Sequence, residues 1–366
     1  MLRKTTLCTI PALLLAKLIG AAPSGNPLSN PNYGPKPGES PLYNDYLGKA
    51  PPFPANYTKP IAPTKSGAPG PDDVLWQNLL SAEWVIYSFY QYGVETFNTS
   101  SFVELGLPNT TYTRIQEIRD NEAGHLRIFQ DQISATSIKP GACQYNFDTT
   151  IGSKPEDFLG AALAIEVSSM LFLTGLVQTA KLDAAKGALT AVSQVETRHG
   201  VWALLDVYGA DPFSGPSDTV FPYANEILDL TTDFIVSGSC PSANPPYPNP
   251  SQNLPPVGIA MGTKSVAPGA TVQLNFTNPA NQPTFDSKCD YYGVFYHGLD
   301  VISTLLDTTK WPAQPINITI PAEFDAKGIV AFVITTEEGA PTLDSVVTRP
   351  NVFLQQPAGI GALFSI

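Results

Sequence analysis

Two Glu-x-x-His tetrads, Glu122-Ala-Gly-His125 and Glu196-Thr-Arg-His199, use two of the three histidines in this chain of 366 residues. Nothing else in the sequence constrains the fold as tightly. In an α-helix, residues i and i+3 differ by about 60° around the axis, so each Glu leaves the same face as its His. Glutamate fills 13 of the 366 positions. Finding it three residues before two of three histidines by accident has a chance of roughly 0.4%. Each tetrad also follows an apolar helical stretch that carries a solitary acid. Glu83 lies in Leu79-Leu80-Ser81-Ala82-Glu83-Trp84-Val85-Ile86, and Glu166 in Ala161-Ala162-Leu163-Ala164-Ile165-Glu166-Val167. An unpaired carboxylate is costly to bury in such company, so something positive is expected beside each.

Along the chain the order is Glu, Glu-x-x-His, Glu, Glu-x-x-His. That is the ligand set of carboxylate-bridged di-iron and di-manganese four-helix bundles. Four carboxylates and two imidazoles suit two divalent ions, iron or manganese, since one oxygen-rich set serves both metals. Such a centre suits oxygen or peroxide activation, which points to oxidase, peroxidase or catalase-like chemistry. Tyr87 falls one turn after Glu83, and Trp202 three residues after His199. Each is either close to the cluster or a filler of the bundle core. Asp120 and Arg198 are expected to face away from it.

The segments Leu80-Ser81-Ala82-Glu83, Ile118-Arg119-Asp120-Asn121-Glu122-Ala123-Gly124-His125, Ala164-Ile165-Glu166 and Val195-Glu196-Thr197-Arg198-His199 resemble the four helices of the ferritin-like domain family. The resemblance spans residues 74 to 238. It is strongest to a secreted fungal branch of stress-response and sexual-development proteins, similar in its bundle to plant desiccation-related proteins. It implies fold more than function. For Glu83, Glu122, His125, Glu166, Glu196 and His199 it implies metal coordination, with carboxylates bridging two ions.

The N-terminus reads as a secretory signal over residues 1–22. Arg3 and Lys4 precede an apolar stretch, interrupted by Lys17, that ends in Gly20-Ala21-Ala22. This stretch is too short to span a membrane, and no later segment has 18 unbroken apolar residues. Five Asn-x-Ser/Thr sequons, at Asn56, Asn98, Asn109, Asn275 and Asn317, suit a secreted or wall-associated glycoprotein. Loss of Cys8 with the signal leaves Cys143, Cys240 and Cys289, an odd count in an oxidising compartment. Pairing of Cys143 with Cys240 would tie the end of the bundle and is the expectation, with Cys240 to Cys289 the alternative. A net charge of −12 argues against nucleic acid, which needs a basic footprint.

Residues 23–70 are rich in Pro, Gly, Asn and Ser and read as a linker or extended wrap. Helices are expected near 74–97, 111–137, 155–181, 185–209 and 219–237. These make a bundle over 71–240 with one long crossover and a fifth helix. A Pro-rich linker at 241–257 separates it from residues 258–366, where the period shifts to two. Residues 271–277, 316–320 and 329–335 read there as strands of a small β-sandwich. The expected class is therefore α+β multidomain. His297 has no partner at ligand spacing and reads as a packed histidine. The C-terminal domain is left to docking, solubility or a cell-wall or protein partner. Two functions follow: a secreted di-metal protein in oxidant handling during stress or development, or a non-catalytic structural or adhesive protein of the cell surface.

Overall fold

The computed structural model describes residues 58–212, 221, 223, 228–249, 253–260, 263, 265–324, 328–339 and 342–355. The signal at 1–22, most of 23–70 and Asn56 lie outside the described residues. Four long helices make the bundle: α1 (Asp73–Thr96), α3 (Thr111–Gln132), α5 (Pro155–Leu176) and α6 (Asp183–Trp202), with short helices α2 (Thr99–Val103) and α4 (Asp148–Ile151) in the connections. Helix α1 packs on α3 and α5 on α6, each as an antiparallel hairpin, and the segment between α3 and α5 is the crossover.

The acids at the start of α1 do more than complement its dipole. The Asp72 carboxylate accepts the backbone N–H groups of Lys181 and Leu182 at 2.8 and 2.9 Å, which fastens the α5–α6 turn. Asp73 accepts from Gly70, Ser134 and Ser137. By drawing Ser134 into this knot, Asp73 turns the chain at the end of α3, five residues short of the expected 137. Where α1 meets α5, Gly93 makes room for an aromatic ring. A Cβ there would sit 2.2 Å from Phe158, whose ring stacks on Phe89 at 4.6 Å.

Residues 58–65 run beside the crossover, with paired backbone bonds between Ile61 and Lys139. Cys143 and Cys240 form a disulfide across 97 residues. Closing a loop of that length removes about 4–5 kcal/mol of chain entropy from the unfolded state. The Pro-rich stretch after Cys240 is strapped to the bundle. Asn244 exchanges two bonds with the Gly141 backbone, and Asn78 exchanges two with that of Asn249. The fifth helix differs from expectation: its described part, Leu228–Phe234, is 3-10. Thr231 and Thr232 hydroxyls bond the carbonyls three residues back, which favours the tighter winding. Helix α6 ends in a π-helical turn, Ala203–Val207.

The C-terminal region holds two antiparallel sheets, ordered β1-β2-β5 and β4-β3-β6-β7. The strands are β1 (Gly258–Ile259), β2 (Thr271–Asn275), β3 (Tyr292–His297), β4 (Asp300–Leu305), β5 (Asn317–Thr319), β6 (Gly328–Thr335) and β7 (Asn351–Gln355). One face of the larger sheet, with Phe295, Phe332, Ile334 and Phe353, packs on the smaller sheet. The other, with Val294, Tyr296, Val333 and Leu354, joins the core of the bundle. Strand β6, Gly-Ile-Val-Ala-Phe-Val-Ile-Thr, is buried at every position because it lies between these layers. The larger sheet thus lies between the smaller sheet and the core of the bundle.

Candidate metal centre

The six residues singled out by spacing converge in the middle of the bundle, one or two from each long helix. Glu83 comes from α1, Glu122 and His125 from α3, Glu166 from α5, and Glu196 and His199 from α6. All six are buried. They form two overlapping groups, Glu83, Glu122, His125 and Glu196 in one, and Glu122, Glu166, Glu196 and His199 in the other. Glu122 and Glu196 belong to both.

The two shared carboxylates divide their oxygens between the groups. His125 Nδ1 lies 2.9 Å from Glu122 Oε2, 3.2 Å from Glu196 Oε1 and 3.5 Å from Glu83 Oε1. His199 Nδ1 lies 3.2 Å from Glu122 Oε1, 3.2 Å from Glu166 Oε2 and 3.6 Å from Glu196 Oε2. Six carboxylate oxygens therefore crowd two nitrogens, and each nitrogen has at most one proton to offer. Glu83 Oε1, Glu122 Oε1 and both Glu196 oxygens are buried without a hydrogen bond. Such oxygens are costly in a dry interior unless a cation meets them. Ligands on an ion with bonds of about 2.1 Å stand about 3.0–3.4 Å apart, close to the spacings here. The two groups could hold metal ions, and Glu122 and Glu196 would contribute to both.

Burial and mutual charge oppose each other across the six groups. Burial raises Glu83 well above the usual carboxylate range, and the Glu122 charge adds to it. Burial raises Glu166 likewise, with His199 opposing. Burial also acts upward on Glu122 and Glu196, but the imidazoles overcome it and hold both below the usual range. Burial pulls the histidines down, yet the carboxylates win: His199 is pushed up to about 12, chiefly by Glu166, and His125 is raised, chiefly by Glu122. Within the metal-free cluster, the imidazoles and carboxylates thus favour each other's charged forms against burial.

Tyr90 was not legible as a site residue. Its hydroxyl donates to Glu166 Oε1, and burial followed by the Glu166 charge raises the phenol well above 10. It stands seven residues, two turns, after Glu83, which was the available signal. Tyr87, one turn after Glu83, is buried and donates to Gln91 at 3.5 Å. Trp202 is half-buried, while Asp120 and Arg198 are exposed. Asn98, Asn109, Asn275 and Asn317 are exposed. Asn98 Oδ1 caps α2 by accepting from Ser101 N. Cys289 is exposed and unpaired. His297 is buried in β3 against Phe324, and its Nδ1 meets the Ile329 carbonyl at 2.8 Å.

The helical region is matched by a known family. Residues 72–206 match the ferritin-like domain. The chain is also 24% identical over 275 residues to Protein rds1 of Schizosaccharomyces pombe, across 74% of this chain and 61% of that protein. The chain thus spans about three fifths of the length of this curated relative. In the ferritin-like region, one helix of the described residues, α5, is long and apolar enough to cross a membrane, and most of it is buried in the fold.

Proposed function

We propose that this is a secreted di-metal protein that binds two iron or manganese ions and handles oxidants. The observation that carries the reading is the pair of ligand groups sharing Glu122 and Glu196 oxygen by oxygen. When bound, two such ions supply a redox-active centre for oxygen or peroxide. The chain's own residues set its surroundings. Burial of all six ligands excludes bulk water. Tyr90 holds Glu166 from behind, at the group that includes His199. Support for secretion is the N-terminal sequence and the exposed sequons. A role in stress or development rests on the family resemblance.

The deciding experiment is elemental mass spectrometry on protein purified from a secretory host without chelator, followed by peroxide consumption. The expected result is near two iron or manganese ions per chain, with consumption lost in Glu122→Ala. A metal content near zero that reconstitution does not change would sink the reading.

The second reading is a structural or adhesive cell-surface protein. One observation favours it: without metal, each imidazole lies within ion-pair distance of a carboxylate, His125 of Glu122 and His199 of Glu166, so the bundle can stand on these contacts. Stable folding and unaltered physiology in a Glu122→Ala, Glu196→Ala double variant would support this reading.

A further inference from the structure

On the side of α5 away from the ligands, a cavity of about 790 Å³ lies between the bundle and the C-terminal sheets. Ala161, Ala164, Ile165, Ser168 and Phe172 of α5 form one wall, and Val257, Ile259 and Val266 form the facing one. At about 100° per residue, Ala161 and Ser168 leave the helix about 140° and 160° from Glu166, so most of the cavity's α5 wall faces away from the metal ligands, with Ser169 at its edge. Well-packed interiors leave few voids larger than a water molecule, and ligand sites run to about 300–1,000 Å³. Gly160, Ala161 and Ala164 keep this space open where larger side chains would close it.

The lining states what suits the space. Most of its lining surface is apolar. Ser168 Oγ, on the α5 wall, is buried and has no hydrogen-bond partner. Among the described lining residues, Glu156, Asp157 and Asp233 are acids and Arg349 is the cation. The Arg349 guanidinium is already engaged by the Leu254 and Asp229 carbonyls and by Asp233, at 3.1–3.2 Å. An anionic head group would meet surplus negative charge and an occupied arginine.

We propose that this cavity binds an uncharged, elongated apolar molecule bearing one hydroxyl group, of the long-chain alcohol or sterol type, with the hydroxyl bonded to Ser168. The C-terminal sheets then complete a binding site by covering an apolar helix face. This site is independent of the metal centre.

The test titrates the full chain with Nile red, an uncharged dye, and competes it with hexadecan-1-ol and with hexadecanoate. Saturation at one dye per chain is expected, with the alcohol displacing it at least about tenfold better than the carboxylate. Ala161→Trp and Ile259→Trp fill the space from opposite walls. Each is expected to weaken dye binding by about tenfold or more while metal content stays at the wild-type value. Non-saturable dye binding overturns the proposal. So does equal displacement by hexadecanoate, or wild-type dye affinity in whichever tryptophan variant keeps the wild-type melting temperature.

Discussion

The bundle and the C-terminal sheets each bury histidine, and to the same degree: His125 and His199 are 4% and 7% exposed, His297 1%. Their company differs. Three carboxylate oxygens surround one nitrogen of each bundle histidine, at 2.9–3.6 Å. His297 has a backbone carbonyl on Nδ1 and an aromatic ring beside it. Burial alone therefore does not mark a ligand. The mark is an excess of anionic acceptors over the protons available to meet them, and only the bundle has it among the described residues.

The sharpest way to break this comparison is to remove the shared carboxylates. Glu122→Ala or Glu196→Ala takes an oxygen from both groups and should reduce bound metal from two ions per chain towards none. Glu83→Ala or Glu166→Ala opens one group and should leave about one ion. His125→Ala and His199→Ala each take the imidazole from one group and should likewise leave about one ion. Elemental analysis after dialysis reads all six. Equal losses for Glu122→Ala and Glu83→Ala would contradict the division into shared and unshared carboxylates.

A second test uses pH. In the metal-free protein, His199 titrates near 12 against 6.5 unfolded, and Glu83 and Glu166 also titrate above their unfolded value of 4.5. Folded-state values above unfolded ones mean that the native state holds more protons. Stability from these groups is then full at low pH and falls as pH rises, from about 4.5 for the acids and from about 6.5 for the histidine. Metal binding displaces those protons and is favoured by rising pH. The gain in melting temperature on adding manganese should therefore grow from pH 5 to pH 8. A gain that is flat or shrinking over that range would mean the cluster does not exchange protons for metal. Asp73 works the other way. Its serine and backbone donors outweigh burial and hold it below 3.8, so its contribution is present above that value and lost as pH falls through the lowered one.

A smaller effect is expected at Tyr90. In Tyr90→Phe, Glu166 loses its donor but keeps its place in the group. Metal content at saturation should stay at two, with the ion at the His199 group held about tenfold more weakly. Competition with a chelator reads this directly. Wild-type affinity in Tyr90→Phe would reduce the tyrosine to packing.

Much of the bundle was legible because its signals are local. Helical spacing places Glu122 with His125 and Glu196 with His199, and the apolar runs around Glu83 and Glu166 mark two further buried acids. Tyr90 was missed because its partner lies 76 residues away, on α5. The end of α3 was missed for a similar reason: Asp73, 61 residues earlier, takes Ser134. In the sheets, β6 reads as a strand, but its burial on both faces depends on the bundle beside it. Strands β3, β4 and β7 carry weaker period-two patterns and emerge only through pairing, with β3 held between β4 and β6. Sequence spacing reports which residues share a face, whereas layers that meet across long separations need the fold.

The least effect on metal is expected at His297, where the loss should fall on stability alone. His297→Ala removes a buried ring from between Phe324 and the Ile329 carbonyl and leaves a cavity with an unmet acceptor, a change of about 2–4 kcal/mol. Metal content should remain at two ions per chain because no carboxylate depends on this ring. Denaturant unfolding and elemental analysis on the same sample separate the two effects. If metal falls in proportion to stability, the sheets and the bundle unfold as one cooperative unit and the variant reports only on that coupling. If stability falls and metal does not, the two kinds of buried histidine are distinct in energy as well as in surroundings.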